Sequence, residues 1–247
     1  MIDLRNRIFD LDPEEPRIQL RKVINFFKFG SIFFDLIFMA VFGNYSQPAL
    51  LITALHGSYG FLWILKDAIF PDPSFNAHFK FGTCLAAIGL LTCYNLIDLT
   101  CIANTSYTSV SKERFLSAIV MFVIGVFMMI GSDVQKFFVL KVKKGLITDG
   151  FFCLCRNPNY FGETLIYLSF AVVAGNWFGY IVVGTAVSVM FFPNMWIKDE
   201  SFSSRPGFKE WESRTYLFLP KIFDSDLGNG LFYGLGAIFS WFTYLLC

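Results

Sequence analysis

Long apolar runs without a charged side chain restrict how this chain can fold more than any other feature of its sequence. Residues 115–131 and 178–196 contain no Asp, Glu, Lys or Arg. A helix needs about 20 predominantly apolar residues to cross the hydrocarbon core of a bilayer. Charged residues make up only 16% of the chain, compared with about 25% in an ordinary soluble domain. The sequence therefore predicts a membrane protein.

The apolar runs recur along the whole chain and predict an all-α fold, a polytopic membrane helix bundle with about six to seven transmembrane helices. A last apolar segment, 231–247, is long enough to cross the membrane only if residues 228–230 join it. Otherwise it lies against the bundle or the interface. The six spans predicted before it are residues 26–43, 49–65, 79–103, 115–131, 164–174 and 178–196.

The runs and the polar passages between them predict four regions. A polar N-terminal segment covers residues 1–28, and N-terminal transmembrane helices cover 29–131. Residues 132–223 form a domain that contains a helical hairpin, and 224–247 form an apolar C-terminal segment. The first 22 residues are charged throughout and lack an apolar core, so no cleavable signal peptide is expected.

The basic residues predict an orientation in the membrane. With the N-terminus inside, the six-span topology places 18 Lys and Arg residues inside and only Lys112 and Arg114 outside. This distribution agrees with the positive-inside rule. We expect the N-terminus on the cytoplasmic side of the endoplasmic reticulum membrane or the matrix side of the mitochondrial inner membrane. A net charge of +1, with no sustained basic stripe, argues against a nucleic-acid partner.

The cysteines and histidines predict neither a metal site nor a disulfide framework. The six cysteines form no CxxC pair, and free cysteine in an apolar segment usually acts as a small hydrophobe. Two histidines, His56 and His78, are too few for a His-rich metal site. The cysteines are Cys84, Cys93, Cys101, Cys153, Cys155 and Cys247.

A polar stretch at residues 141–163 separates two strongly apolar regions and ends at the start of the predicted hairpin. The guanidinium of Arg156 suits a phosphate or carboxylate. Glu163 opens an apolar run, where a lone carboxylate costs roughly 2.5 to 3.5 kcal/mol unless a partner or water reaches it. The two ends of an antiparallel hairpin meet at one membrane face, so Asp199 and Glu200 are predicted near Arg156. The alternative is that these charges cap helix ends and extend to the interface.

The sequence RNPNYFGE at residues 156–163, followed by a hairpin and a second sequence block, resembles a known family. The resemblance is to the C-terminal domain of the steroid 5α-reductase-like membrane proteins, in their less characterised DUF1295-like branch, and covers roughly residues 130–223. Isoprenylcysteine and phospholipid methyltransferases are similar. The downstream block consists of Asp199, Glu200, Arg205, Pro206, Gly207, Phe208, Trp211, Arg214, Thr215, Leu219 and Pro220.

The resemblance implies a cofactor pocket for NADPH in a reductase or S-adenosylmethionine in a methyltransferase. A lipid substrate would enter sideways from the bilayer. A reductase would deliver hydride to a polarised C=C bond, and a methyltransferase would present a lipid carboxylate or amine to the methyl group. By position, the cofactor-binding residues would be Arg156, Asn159, Tyr160 and Glu163 from one side and Asp199, Glu200, Trp211 and Arg214 from the other.

The chain departs from the family pattern at three positions. Asn157 replaces a common His, and Trp211 replaces a usual Tyr. Trp63 lies where the reductases have a proton-donating phenol, and an indole cannot fill that role. Tyr59 lies one turn earlier on the same helix face and is the predicted catalytic substitute, together with Glu163. The alternative is that Tyr59 is an aromatic packing residue.

Three functions follow from these features. The first is an NADPH-dependent reductase of a steroid-like or isoprenoid C=C bond. The second is a non-catalytic structural subunit of a larger membrane complex, such as a mitochondrial respiratory assembly, with no cofactor or with a lipid in its pocket. The third is an S-adenosylmethionine-dependent lipid or isoprenylcysteine methyltransferase. The predicted partners are membrane lipids and, for the second function, the other subunits of such a complex.

Overall fold

The computed structural model describes residues 18–76, 78–79 and 81–245, and within them the chain is built almost entirely of helices. The polar segment predicted at 1–28 is described only from residue 18, and Cys247 also lies outside the described residues. The helices are α1 Leu20–Phe42, α2 Gln47–Ile69, α3 Phe81–Ala103, α4 Lys112–Val142, α5 Pro158–Ala174, α6 Trp177–Ala186, α7 Phe192–Phe202, α8 Phe208–Arg214 and α9 Asp226–Leu245.

Short elements join these helices. Ile18–Gln19 (β1) pairs antiparallel with His78–Phe79 (β2), and single 3₁₀ turns cover Pro73–Asn76 and Gly150–Cys153. A π-helical turn, Val187–Phe191, joins α6 to α7, so that the chain from Trp177 to Phe202 is one long helical segment. Such π turns widen a helix locally.

Four helical segments of the described chain are long and apolar enough to cross a membrane. They are α1, α2, α4 and the continuous α6–α7 segment. The chain is therefore membrane-embedded, as the sequence predicts. Six to seven spans are not confirmed among the described residues, because α5 has 17 residues and α3 contributes only a shorter apolar helix, Leu91–Ala103.

Helix α1 buries polar side chains and exposes apolar ones, as expected for a membrane helix. Its buried residues Lys28, Ser31, Asp35 and Met39 recur at a spacing of three to four residues and form one stripe that faces the other helices. The outward faces of the helix are apolar and suit contact with lipid acyl chains. The exposed residues include Phe26, Phe29, Phe33, Leu36, Ile37 and Val41.

Helices α4 and α5 approach so closely that only glycine fits at their contact. A Cβ atom on Gly162 would lie 2.5 Å from the backbone nitrogen of Met129 and 2.6 Å from the carbonyl oxygen of Gly125. A Cβ on Gly125 would lie 2.7 Å from the carbonyl oxygen of Gly162. Small residues allow this approach between membrane helices. The contact fixes the first turns of α5, which carry Glu163.

Two helices continue beyond the spans predicted from the sequence, because their terminal charges find partners inside the protein. Helix α2 extends through Lys66, which pairs with Asp133 on α4. Helix α4 continues past residue 131 through Lys136, which pairs with Asp72. The predicted region boundaries at 28/29 and 131/132 consequently fall inside α1 and α4.

Candidate functional site

The two ends of the hairpin meet, as the sequence predicts for antiparallel helices. The Nε atom of Arg156, just before α5, donates to both carboxylate oxygens of Asp199 on α7, at 3.1 and 2.9 Å. The Nζ atom of Lys198 donates to Oδ1 of Asn157 at 3.0 Å. The chain before α5 and the end of α7 are thus joined by an ion pair and a hydrogen bond.

The polar side chains at this junction also hold the segment that follows α8. Nη1 of Arg156 donates to the carbonyl oxygen of Thr215 at 2.7 Å, and Nδ2 of Asn157 donates to that of Leu217 at 2.9 Å. The indole nitrogen of Trp211 donates to the carbonyl oxygen of Phe152 at 2.7 Å, and its ring is buried. These contacts fasten the passage after α8 across the base of the hairpin.

Five of the eight predicted cofactor residues lie on α7, on α8 or just before α5. The side-chain donors of Arg156 and Trp211 bond to other protein groups, including the Asp199 carboxylate. Glu200 and Arg214 are exposed, and the Arg214 guanidinium lies 3.8 Å from Glu210 on its own helix. The donors of Arg156 and Trp211 therefore do not form a ready phosphate cradle. A cofactor bound here would have to displace the hydrogen bonds that Arg156 and Trp211 make to protein groups.

Asn159, Tyr160 and Glu163 lie on the first turns of α5. Asn159 and Tyr160 are half-buried, and the Tyr160 ring packs 4.9 Å from the ring of Phe191 in the π turn. Glu163 points instead into the bundle, toward helices α1 and α2. The predicted cofactor set is therefore divided between the hairpin base and the bundle interior.

Glu163 belongs to a cluster of four polar side chains inside the bundle, which we call the lysine cluster: Lys28, Tyr59, Glu163 and Tyr167. The ammonium of Lys28 donates to the hydroxyl of Tyr59 at 3.0 Å and to Oε1 of Glu163 at 3.3 Å, and also contacts the hydroxyl of Tyr167. The hydroxyl of Tyr59 donates to the same Glu163 oxygen at 3.1 Å. Helices α1, α2 and α5 each supply part of the cluster.

Aromatic rings surround the Lys28 ammonium. Its Nζ atom lies 4.2 Å from the ring centroid of Tyr59, 4.8 Å from that of Tyr167 and 5.0 Å from that of Trp63. The Trp63 indole donates to Asn25 at 3.0 Å. Ring faces attract cations most strongly when water is excluded, so they help to retain the charge in the bundle.

The two predicted catalytic residues are thus in contact, although 104 positions separate them. Tyr59 is completely buried, while the side chain of Glu163 is 19% exposed and is the more accessible part of the lysine cluster. A phenol beside an ammonium and a carboxylate can donate a hydrogen bond or a proton to an oxygen atom, and the ammonium stabilises the resulting phenolate. The arrangement is therefore suited to general acid chemistry.

Two ion pairs join α4 to α2 and to the turn after α2. Lys66 pairs with Asp133, and Lys136 pairs with Asp72. Burial alone would raise the pKa of Asp72, but the Lys136 ammonium and the hydrogen bonds from Ser74 lower this pKa to about 2. These pairs connect α4 to the end of α2.

Sequence reasoning missed the roles of Lys28 and Tyr167. Lys28 appeared only as a charged interruption of the first apolar run, and Tyr167 follows Glu163 by one helical turn. A signal was available: Lys28 and Asp35 lie seven residues apart and share a helix face within an otherwise apolar run. Such residues usually face the interior of a bundle.

Comparison with known proteins gives a family without an assigned activity. No curated protein matches the chain. Residues 78–214 match the family described as "Protein of unknown function (DUF1295)". The match contains Arg156, Glu163 and Tyr167, whereas Lys28 and Tyr59 precede it. Because the matched residues make up more than half of the 247-residue chain, the chain belongs to the DUF1295 family of proteins of unknown function.

Proposed function

We propose that the chain is a membrane oxidoreductase that reduces a polarised C=C bond in a lipid, such as the enone of a steroid-like or isoprenoid molecule. The observation that carries the proposal is the contact of the Tyr59 hydroxyl with both Lys28 and Glu163. Charged side chains at membrane depth are costly and usually functional. The lysine cluster places three ionisable groups on one phenol.

In this proposal Tyr59 is the proton donor to the carbonyl oxygen of the lipid. Addition of a hydride, which NADPH would supply when bound, to the β-carbon of the enone would place negative charge on that oxygen, and the phenol hydroxyl would transfer its proton to it. The enol formed in this way would tautomerise to the saturated carbonyl compound. The ammonium of Lys28, 3.0 Å away, stabilises the phenolate that remains. Glu163 accepts the hydrogen bonds of Tyr59 and Tyr167 in the structure, so the lipid carbonyl would replace Glu163 as the acceptor of the Tyr59 proton.

The reductant enters the proposal through the family resemblance alone, which implies NADPH. Contacts at the hairpin base give no separate support for it, because Arg156 and Trp211 are occupied by protein groups. The same holds for S-adenosylmethionine. Methyl transfer stays a prediction, and protection against heat by one cofactor and not the other distinguishes the two reactions.

The experiment uses the purified full chain in lipid nanodiscs with NADPH and a panel of enone steroids and isoprenoids. Product formation is followed by mass spectrometry as a gain of two hydrogen atoms. Tyr59→Phe removes the hydroxyl and keeps the ring, so we expect turnover to fall about 10²-fold or more. The matched control is Tyr45→Phe, since Tyr45 is an exposed loop residue.

The result that contradicts the proposal is specific. If the wild-type protein keeps its cooperative melting transition and reduces no member of the panel, or if Tyr59→Phe retains full turnover, Tyr59 is not the proton donor. Measuring the melting temperature of each variant separates lost chemistry from lost folding.

A second candidate function is favoured by the hairpin base. There Arg156 and Asn157 fasten the passage after α8, and Trp211 fastens α8 itself to Phe152, which is the role of structural residues. The chain would then be a non-catalytic subunit of a larger membrane complex. In that case neither NADPH nor S-adenosylmethionine raises the melting temperature, and Arg156→Ala lowers it equally with and without either cofactor. Co-purification with constant partners from the native membrane would support this candidate, and nucleotide-dependent stabilisation would exclude it.

A further inference from the structure

A second buried cluster lies in the bundle, away from the hairpin base, and consists of Asp35, His56 and Asp98. Helices α1, α2 and α3 each supply one residue. One ligand atom from each residue can be chosen so that all three atoms lie within 4.8 Å of one another. The residues are 0%, 3% and 0% exposed.

Three of the four carboxylate oxygens in this cluster lack a hydrogen-bond donor among the described residues. Both side-chain oxygens of Asp35, and Oδ1 of Asp98, are buried with no hydrogen-bond partner among the described residues. The other Asp98 oxygen contacts Nδ1 of His56. A buried carboxylate without a partner costs several kcal/mol, and two of them side by side repel each other. A cation bound between Asp35 and Asp98, or a proton shared by them, would remove this repulsion.

The buried lysines Lys28 on α1 and Lys66 on α2 form ion pairs with other acidic residues. Lys28, on the same face of α1 as Asp35, donates to Glu163 and to the two phenols of the lysine cluster. Lys66, on the same helix as His56, pairs with Asp133. Neither ammonium supplies the charge that Asp35 and Asp98 need.

We propose that Asp35, His56 and Asp98 bind one divalent transition-metal ion, with zinc as the first choice. Imidazole nitrogen and carboxylate oxygen are ligand types that such ions bind, and two negative charges balance the 2+ charge. The His56 ring stacks on Phe170 with 4.7 Å between ring centroids, which fixes its orientation. Three protein ligands leave coordination positions open, as in catalytic zinc sites.

The proposed metal site consists of groups that the proposed reductase chemistry does not use. The metal proposal is therefore independent of the proposed function. The sequence predicts no metal site, because two histidines are few and the three ligands are widely separated along the chain. Only the packing of α1, α2 and α3 brings Asp35, His56 and Asp98 together.

The test uses the full chain in nanodiscs, treated with a chelator and then dialysed against zinc chloride. We expect about one equivalent of zinc by elemental analysis and a higher melting temperature than for the chelated protein. Asp35→Asn and His56→Gln should each lower zinc affinity at least about tenfold. The control Asp72→Asn, in an ion pair outside the cluster, should leave zinc binding unchanged.

Cobalt substitution gives a readout that does not depend on stability. Bound Co²⁺ should show visible ligand-field absorption that disappears in His56→Gln. Asp35→Asn removes a buried charge, so the metal-free variant should fold at least as well as the chelated wild type. If the wild type takes up no metal, or if Asp35→Asn binds zinc as tightly as the wild type, the proposal is overturned. If the wild type takes up no metal and Asp35→Asn is more stable than the wild type, Asp35 and Asp98 form a proton-sharing carboxyl pair instead.

Discussion

The pairing of Lys28 with Glu163 makes the sharpest prediction about stability. We consider Lys28→Met, Glu163→Gln and the double variant, which keep side-chain volume while removing charge. Each single substitution leaves one buried charge without its partner. The double substitution removes both charges and leaves Tyr59 and Tyr167 to bond with the amide oxygen of Gln.

The expected magnitude follows from the contacts of the Lys28 ammonium. It has three hydrogen-bonded oxygens, one of them charged, and three ring faces within 5.0 Å. Removing one partner of a buried pair costs about 3 to 5 kcal/mol, mostly because the other charge is left alone. The double variant avoids that penalty and should lose no more than either single variant. The coupling energy should therefore be at least about 3 kcal/mol, the size of the smaller single effect.

The assay is equilibrium unfolding in mixed micelles with increasing sodium dodecyl sulfate, applied to all four proteins of the cycle. Lys22→Met is the matched control, since Lys22 is an exposed residue of the same helix, and it should change stability by less than about 0.5 kcal/mol. If the two single effects simply add in the double variant, Lys28 and Glu163 are not paired in the folded protein and the reasoning is refuted.

Two further predictions concern packing and pH. Gly162→Ala places a methyl group 2.6 Å from the Gly125 carbonyl oxygen and should destabilise the protein by about 2 to 3 kcal/mol. Gly184→Ala, with open space around it, should be neutral or stabilising. Thermal melts of both variants check this, and equal effects would contradict the close contact of α4 and α5. The pKa of Asp72 is lowered to about 2, so its contribution is present above about pH 4 and is lost as the pH falls toward 2. Because Asp72 and Lys136 are partly exposed, we expect a contribution on the order of 1 kcal/mol. The wild type should therefore lose stability more steeply than Asp72→Asn between pH 4 and 2. Parallel curves of stability against pH for the two proteins would contradict the prediction.

The membrane-embedded helical fold could be predicted because apolar runs are a local property of the sequence. The meeting of Arg156 with Asp199 was also predictable, since a hairpin brings its two ends together. The helix ends were less predictable. Lys66 reads as the end of a span, but α2 continues because Asp133 on another helix neutralises it.

The interior clusters could not be predicted for the same physical reason. Lys28, Tyr59 and Glu163 lie on three helices, and no spacing along the chain indicates which faces of those helices meet. The sequence predicts Glu163 as a cofactor-binding and a catalytic residue, while its contacts lie with Lys28 and two phenols. A buried charge predicts that a partner exists, but only the packing identifies the partner.

The central claim is that Tyr59 presents its proton to a lipid carbonyl. The most direct measurement of this claim is infrared difference spectroscopy of an enone steroid labelled with ¹³C at the carbonyl. The steroid is bound to the full chain in nanodiscs, and Tyr45→Phe serves as the control. We expect the carbonyl stretch to move to lower frequency in the wild type and in the control, and to return to its value in lipid in Tyr59→Phe. A carbonyl frequency that is the same in the wild type and in Tyr59→Phe would contradict the claim.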